Sequence, residues 1–260
     1  MIEYAVFTKP WRAPALPELG AFVRRLGFSA VELPVRPGYQ VEPAEAAARL
    51  PGAARILADA GVRIASVAGT ADEPTIAACA AAGVPMIRVM APVGEAGYLA
   101  SVEQTRRHLE ALVPTLEAHG VRIGVQNHNG RYVANASGLR ELLRSFDPRH
   151  VCAVWDAAHN ALNGELPELA LDIVAEHLGM VNLKNAIWVR TNGPEAEVAE
   201  WRVHWTSGRH GLASWPRVVA ELKRRGYAGT VCLTAEYTDE ASVERLVAED
   251  LAFARSLFEG

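Results

Sequence analysis

Eight short apolar runs alternate with eight longer helical stretches, and this alternation constrains the fold more than any other feature of the chain. The strand-type runs are Tyr4–Thr8, Ala30–Pro34, Arg63–Ala68, Met86–Ala91, Arg122–Asn127, Val151–Asp156, Met180–Lys184 and Val231–Glu236. They are rich in β-branched or apolar residues, as expected of parallel strands buried on both faces. The helical stretches fall at Leu16–Leu26, Pro43–Ala60, Thr75–Ala82, Val102–His119, Ser137–Ser145, Pro167–His177, Pro216–Arg225 and Ala241–Phe258. Gly27, Gly61, Gly83, Gly120 and Gly226 stand at the ends of such stretches, where a helix gives way to a strand. Strict βα alternation over 260 residues predicts an α/β fold, a (β/α)8 TIM barrel with residues 1–260 as one domain. A doubly wound open sheet competes with it, but the first βα turn has no glycine-rich phosphate loop. The longest irregular stretch, Ala186–Ser214, follows the seventh strand and reads as a lid or substrate wall.

Composition narrows the functional classes. Half of the residues are hydrophobic, 22% are charged and the net charge is −4. No basic excess offers a footprint for nucleic acid, and no apolar run reaches the roughly 18 residues of a membrane span. The first nine residues carry an early acid and lack a basic flank with a long apolar stretch, unlike a signal peptide. Cys79, Cys152 and Cys232 are isolated, with no metal or redox spacing, and point to a reduced, cytoplasmic setting. The composition is compatible with a homo-oligomer.

The chemistry collects at the C-terminal ends of the strands. Gln126-Asn127-His128, Asp156 with His159, Asn182 with Lys184, and Glu236 each close an apolar strand. A carboxylate there is costly unless it is paired, hydrogen-bonded or bound to a cation. In a parallel barrel that end carries the active site, so the four tips should converge at the mouth. His128 shares the strand parity of Gln126, and Lys184 that of Asn182, so both should turn inward.

Four stretches resemble the xylose isomerase-like TIM barrels, the sugar phosphate isomerase/epimerase superfamily. They are Gly27-Phe-Ser-Ala-Val-Glu32-Leu, His119 through Gln126-Asn-His128, Val154-Trp-Asp156-Ala-Ala-His159, and Gly208-Arg-His-Gly211 with Trp215, Gly226-Tyr-Ala-Gly229 and Glu236. The resemblance implies a small-molecule carbohydrate substrate. It also implies a divalent metal, Mg²⁺ or Mn²⁺, on positions occupied here by Gln126, Asp156, Asn182 and Glu236. Gln126 stands where the family has Glu, and Asn182 where it has His. The set loses one negative charge and one imidazole, so metal binding should be weak. Gln126 cannot serve as a second acid/base, which argues against the two-glutamate epimerisation of typical members.

What remains able to move protons is Glu236, His159, His128 and Lys184. The resemblance favours Glu236 as acid/base, His159 and His128 as orienting groups, and Lys184 as a catalytic group steadying an enediolate. Lys184 could pair with Asp156 or Glu236 in place of a cation, or act as a base or Schiff-base nucleophile. Glu32 reads as a ligand for substrate hydroxyls or as a partner of Arg88. Trp11, Trp155, Trp188 and Trp205 offer aromatic walls for a sugar, with Trp155 taken as substrate-binding. Arg190, Arg202, His204, Arg209 and His210 lie in the long loop, and Arg209 reads as an anchor for an anionic group. The expected function is a sugar, sugar-acid or polyol isomerase/epimerase-type enzyme, or a related lyase, starting with proton abstraction next to a carbonyl. The alternative is a non-catalytic carbohydrate-binding member that has lost its metal site. A DNA-repair endonuclease, on the same barrel, would need a richer metal cluster and a DNA-binding surface.

Overall fold

The computed structural model describes residues 1–260. Eight parallel strands close into a barrel: β1 (Glu3–Phe7), β2 (Ala30–Pro34), β3 (Arg63–Ala68), β4 (Met86–Met90), β5 (Arg122–Gln126), β6 (Val151–Asp156), β7 (Leu178–Leu183) and β10 (Thr230–Leu233). Each pairs with its neighbours in sequence order, and β10 closes the ring between β7 and β1. Helices α1 (Leu16–Arg25), α2 (Ala46–Asp59), α3 (Glu73–Ala81), α4 (Tyr98–His119), α5 (Ala136–Leu143), α7 (Pro167–Val174) and α8 (Trp215–Arg224) connect the strands and return the chain to the foot of the barrel, and α9 (Val243–Glu259) follows the last strand. The single-domain (β/α)8 barrel is therefore the fold. All five glycines expected at helix ends have positive φ, between 64° and 96°, the left-handed region that closes a helix at little cost only for glycine.

Three features depart from the expected alternation. The stretch Ala186–Ser214 is not wholly irregular: it contains an antiparallel hairpin, β8 (Asn185–Arg190) with β9 (Trp201–Thr206). Its strands are held by cross-strand pairs such as Trp188 with Val203 and Ala186 with Trp205. A short helix, α6 (Ala157–Leu162), starts immediately after β6, because the Asp156 side chain caps it. The last barrel strand stops at Leu233 rather than Glu236, since Ala235 adopts φ 52° and leaves the extended conformation.

The interior changes character with height. Its lower part is filled by small and flexible apolar groups, among them Ala5, Ala30, Met86, Cys152 and Met180. Gly124 has no side chain for a packing reason: a Cβ there would lie 2.6 Å from Val154 Cγ2 and 2.9 Å from Met86 Sδ. Above this plug the inward positions become polar, with Glu32, Ser66, Arg88, Gln126, Asp156 and Asn182 all buried. All three cysteines are buried free thiols.

Candidate active site

The polar layer begins with a closed network. Arg88 on β4 grips Glu32 on β2 through two bonds, Nε to Oε1 at 2.8 Å and Nη2 to Oε2 at 2.7 Å. Its remaining Nη1 donates to Gln126 Oε1 on β5 at 2.5 Å. The Gln126 amide nitrogen donates in turn to Asp156 Oδ2 on β6 at 2.8 Å. Asp156 Oδ1 accepts from the backbone N–H of His159 at 3.0 Å, which caps α6. Asn127 completes the chain of bonds by clasping the backbone N–H and carbonyl of Asp156. Burial raises Asp156 from its usual range to about 6, with Lys184 pulling the other way. Burial would strip the Arg88 proton, but the paired Glu32 more than offsets it and holds the guanidinium firmly charged.

Beside this network stands a wall whose polar atoms lack protein partners. His159 Nδ1 accepts the N–H of Asn129 at 3.1 Å, so its ring proton sits on Nε2. That Nε2 is buried with no partner, and so are both amide atoms of Asn182 on β7. Buried polar groups are almost always satisfied in a folded protein, so three orphaned atoms at one level mark a place that awaits a polar ligand. Burial, then the Lys184 charge, holds His159 well below the usual histidine range and keeps it neutral. The His128 ring lies 4.0 Å from that of His159, and its Nδ1 is 2.7 Å from the Asn129 carbonyl. Its Nε2 lone pair is therefore free, and burial lowers its basicity.

Glu236 stands across the mouth, just past β10. Its Oε2 accepts from Lys184 Nζ at 2.6 Å, and its Oε1 is paired with Lys9, which follows β1. Burial alone would raise the Glu236 carboxyl, but Lys184 and Lys9 outweigh it and hold it down at about 2. Lys184 Nζ also rests 3.6 Å from the centre of the Trp205 ring, an arrangement that steadies the ammonium. Lys9 and Glu236 line two spaces at once. Inside is a chamber of about 60 Å³ bounded by Phe7, Arg36, Arg88, Gln126, His128, His159 and Asn182. Outside is a cleft of about 500 Å³ walled by Arg12, Trp205, Tyr237 and Glu240.

The expected site residues separate accordingly. Gln126, Asn182 and Glu236 share the chamber, Asp156 lies behind Gln126, and His128, His159 and Lys184 surround them. Three expectations are corrected. Glu32 does not reach a substrate, because Arg88 takes both of its oxygens and its side chain is fully buried. Trp155 has the opposite strand parity to Asp156, faces the helix layer, and donates to Asn160 Oδ1 at 3.3 Å. Arg209 lies 3.8 Å over the Phe253 ring of α9, on the outside of the barrel. Trp205 lines the cleft, whereas Trp11 packs on Phe22 and Trp188 bonds to the Leu162 carbonyl. Neither space is lined by Arg190, Arg202, His204 or His210. Lys9 and Arg36 escaped the sequence reading. Each sits two residues beyond an inward-facing position, Phe7 and Pro34, so strand parity would have flagged both.

A divalent cation does not fit the four expected ligand positions as they stand. The Gln126 oxygen faces a guanidinium, both Asp156 oxygens accept N–H groups, and both Glu236 oxygens hold ammonium groups. Only Asn182 offers a free oxygen. Nowhere do three His, Cys, Asp or Glu side chains gather as a metal site would require.

Comparison with known proteins agrees with this architecture. The sequence profile of the xylose isomerase-like TIM barrel family matches residues 21–257. No curated protein sequence matches the chain. Among solved structures, an L-ribulose 3-epimerase superposes with a TM-score of 0.76 at 16% identity, covering 100% of this chain and 95% of that one. The 3-keto-D-glucoside 4-epimerase of E. coli gives 0.74 at 14% identity, over 98% and 100%. A probable 3-DHS dehydratase from Bacillus anthracis gives 0.71 at 14%, over 96% and 97%. At these identities the likeness is one of fold.

Proposed function

The chain belongs to the xylose isomerase-like TIM barrel family, and from that premise we propose a sugar, sugar-acid or polyol isomerase/epimerase-type enzyme that moves a proton next to a carbonyl without a bound divalent metal. One observation carries this reading. A single carboxylate, Glu236, is held by two ammonium groups at the edge of a chamber where His159 Nε2–H and the Asn182 amide have no partner. The carbonyl oxygen of a substrate would accept from His159 Nε2–H and from Lys184. These donors stabilise the negative charge that develops on that oxygen as an enediolate forms.

Drawing Lys184 onto the substrate releases one clamp on Glu236 and restores its basicity. Glu236 then takes the proton from the carbon beside the carbonyl. The C–H electron pair becomes the C=C bond of the enediolate, and the former carbonyl oxygen carries the charge. Return of the proton to the neighbouring carbon completes an isomerisation, while the free His128 Nε2 passes the hydroxyl proton between the two oxygens. Gln126 has neither an ionisable group nor a free oxygen, so one carboxylate serves both steps. The epimerase and dehydratase neighbours support sugar-type chemistry on this barrel without specifying the reaction.

Solvent deuterium exchange into a panel of ketoses and sugar acids tests the reading. Exchange into at least one compound is expected, falling about 10²-fold or more in Glu236→Gln, and unaffected by chelators. Exchange untouched in Glu236→Gln would remove Glu236 as the base. Sugars that bind without exchanging would instead favour a non-catalytic carbohydrate-binding protein.

A further inference from the structure

The charges around the inner chamber do not balance. Four cations reach this level of the barrel: Lys9, Arg36, Arg88 and Lys184. Three carboxylates face them, Glu32, Asp156 and Glu236. Arg88 is committed to Glu32 and Gln126, and both lysines to Glu236. Asp156 already accepts from Gln126 and His159. Arg36 is left over. Its guanidinium lines the chamber over the Phe7 ring, 5.6 Å from the centroid, and makes no side-chain hydrogen bond or ion pair. It is half-buried, and burial together with the Arg88 charge lowers its proton affinity. An uncompensated guanidinium in such a place calls for an anion.

Position sharpens this. Arg36 follows β2, and His159 follows β6. In the closed order of strands these are four places apart in a ring of eight, on diametrically opposite walls. A ligand whose carbonyl lies against His159 and Asn182 would therefore extend toward Arg36.

We propose that the substrate is a hydroxy-carbonyl compound carrying an anionic group, a carboxylate or a phosphate, and that Arg36 is the residue that selects it. The inference rests on the isomerase reading for the orientation of the carbonyl. The anion itself is drawn from the unpaired Arg36. The planar guanidinium presents two parallel N–H donors to the oxygens of the anionic group. Lys9, the more exposed of the two lysines on Glu236, follows β1, the strand between those that lead to Arg36 and Glu236.

Three probes that differ only at the sixth carbon separate the sources of the charge: D-fructose, D-fructuronate and D-fructose 6-phosphate. Titration calorimetry on the full chain would measure each against the wild type, Arg36→Met and Arg36→Lys. At least one anionic probe should bind about tenfold or more tightly than fructose, as a charge-assisted bond of this kind provides. Which anion wins identifies the source. Arg36→Met should lower the ratio of anion to fructose affinity about tenfold or more, to near one, whatever it does to fructose itself, and Arg36→Lys should keep part of the preference. Equal binding of fructose and both anions, a preference that survives Arg36→Met, or no binding of any probe at millimolar concentration would overturn the proposal. Discrimination without solvent exchange would leave it standing and defeat the isomerase reading instead.

Discussion

The fully buried polar layer from β2 to β5 and the wall from β6 round to β1 treat their polar groups in opposite ways; Arg36, half-buried beyond the end of β2, stands outside the first network. From β2 to β5, Glu32, Arg88 and Gln126 answer one another completely, and the chain of bonds ends on Asp156. From β6 round to β1, His159 Nε2 and the Asn182 amide answer nothing, and Glu236 is held by lysines that reach it from two other strands. The residue types are similar on both sides. What differs is whether the hydrogen-bonding capacity is consumed within the protein. A satisfied network specifies the barrel, and a deficient one invites a ligand.

The largest expected effect comes from breaking the satisfied side. Arg88→Met would leave Glu32 charged and unpaired in a fully buried position. Removing one partner of such a pair costs about 3–5 kcal/mol, measured by urea unfolding. Asn182→Ala, at the same height on the other side, deletes only atoms that have no partner and should cost far less. Replacing both Glu32 and Arg88 by apolar residues should recover part of the loss, because the pair is costly to bury in the first place. Equal losses in Arg88→Met and Asn182→Ala would end the distinction between the two sides.

A second test uses pH at the junction between them. Asp156 is raised from its ordinary value of 3.8 to about 6 by burial. The folded state thus holds this proton more tightly than the unfolded chain does. The stability from Asp156 is full below pH 3.8 and is lost as pH rises through about 6. Raising the carboxyl from 3.8 to about 6 corresponds to about 3 kcal/mol. Glu236 has the opposite sign and a lower window: held down at about 2 against an ordinary 4.5, it stabilises above pH 4.5 and loses that as pH falls toward 2. Unfolding free energies of the wild type and Asp156→Asn, compared at about pH 4 and pH 7, should differ in slope by most of the Asp156 amount. Parallel pH curves would mean that Asp156 titrates normally and that the network does not isolate it from water.

How much of this was legible depended on the kind of signal. Runs of β-branched residues between helical stretches specify the barrel, because a strand buried on both faces needs nothing else. The hairpin was missed where Trp201-Arg202-Val203-His204-Trp205 alternates apolar and polar residues. That is the period-two pattern of a half-exposed antiparallel strand, unlike the uniform runs of the barrel. At the site, strand ends located Gln126, Asp156, Asn182 and Glu236, and the structure brings them together at one mouth. Parity along a strand turns His128 and Lys184 inward, and the same rule turns the Trp155 ring outward. Partner choice was not legible. Nothing in the sequence shows that Arg88 consumes Glu32 and Gln126 while Arg36 stays free, since both outcomes depend on which arginine reaches across the barrel.

The smallest effect on stability, and the finest probe of the open side, lies next to Glu236. Ala235 is the only residue other than glycine with positive φ, 52°, a conformation that costs a side-chain-bearing residue about 1 kcal/mol or more. The bend ends β10 and swings Glu236 toward the lysines. The following residue is fixed from the other side: Tyr237 Oη donates to Asp250 Oδ2 at 2.8 Å, and Asp250 Oδ1 accepts the Gly208 N–H at 2.8 Å. Ala235→Gly relieves the strain but removes a methyl group buried in the core, worth about 0.8 kcal/mol. The two terms oppose each other, so the unfolding free energy should move by less than about 1 kcal/mol. If the bend exists to aim the carboxylate, kcat should nevertheless fall several-fold with KM nearly constant, because glycine lets the segment leave the αL conformation. An unchanged kcat would show that Lys9, Lys184 and the Tyr237–Asp250 bond suffice to aim Glu236. The strain would then belong to the end of a barrel strand rather than to catalysis.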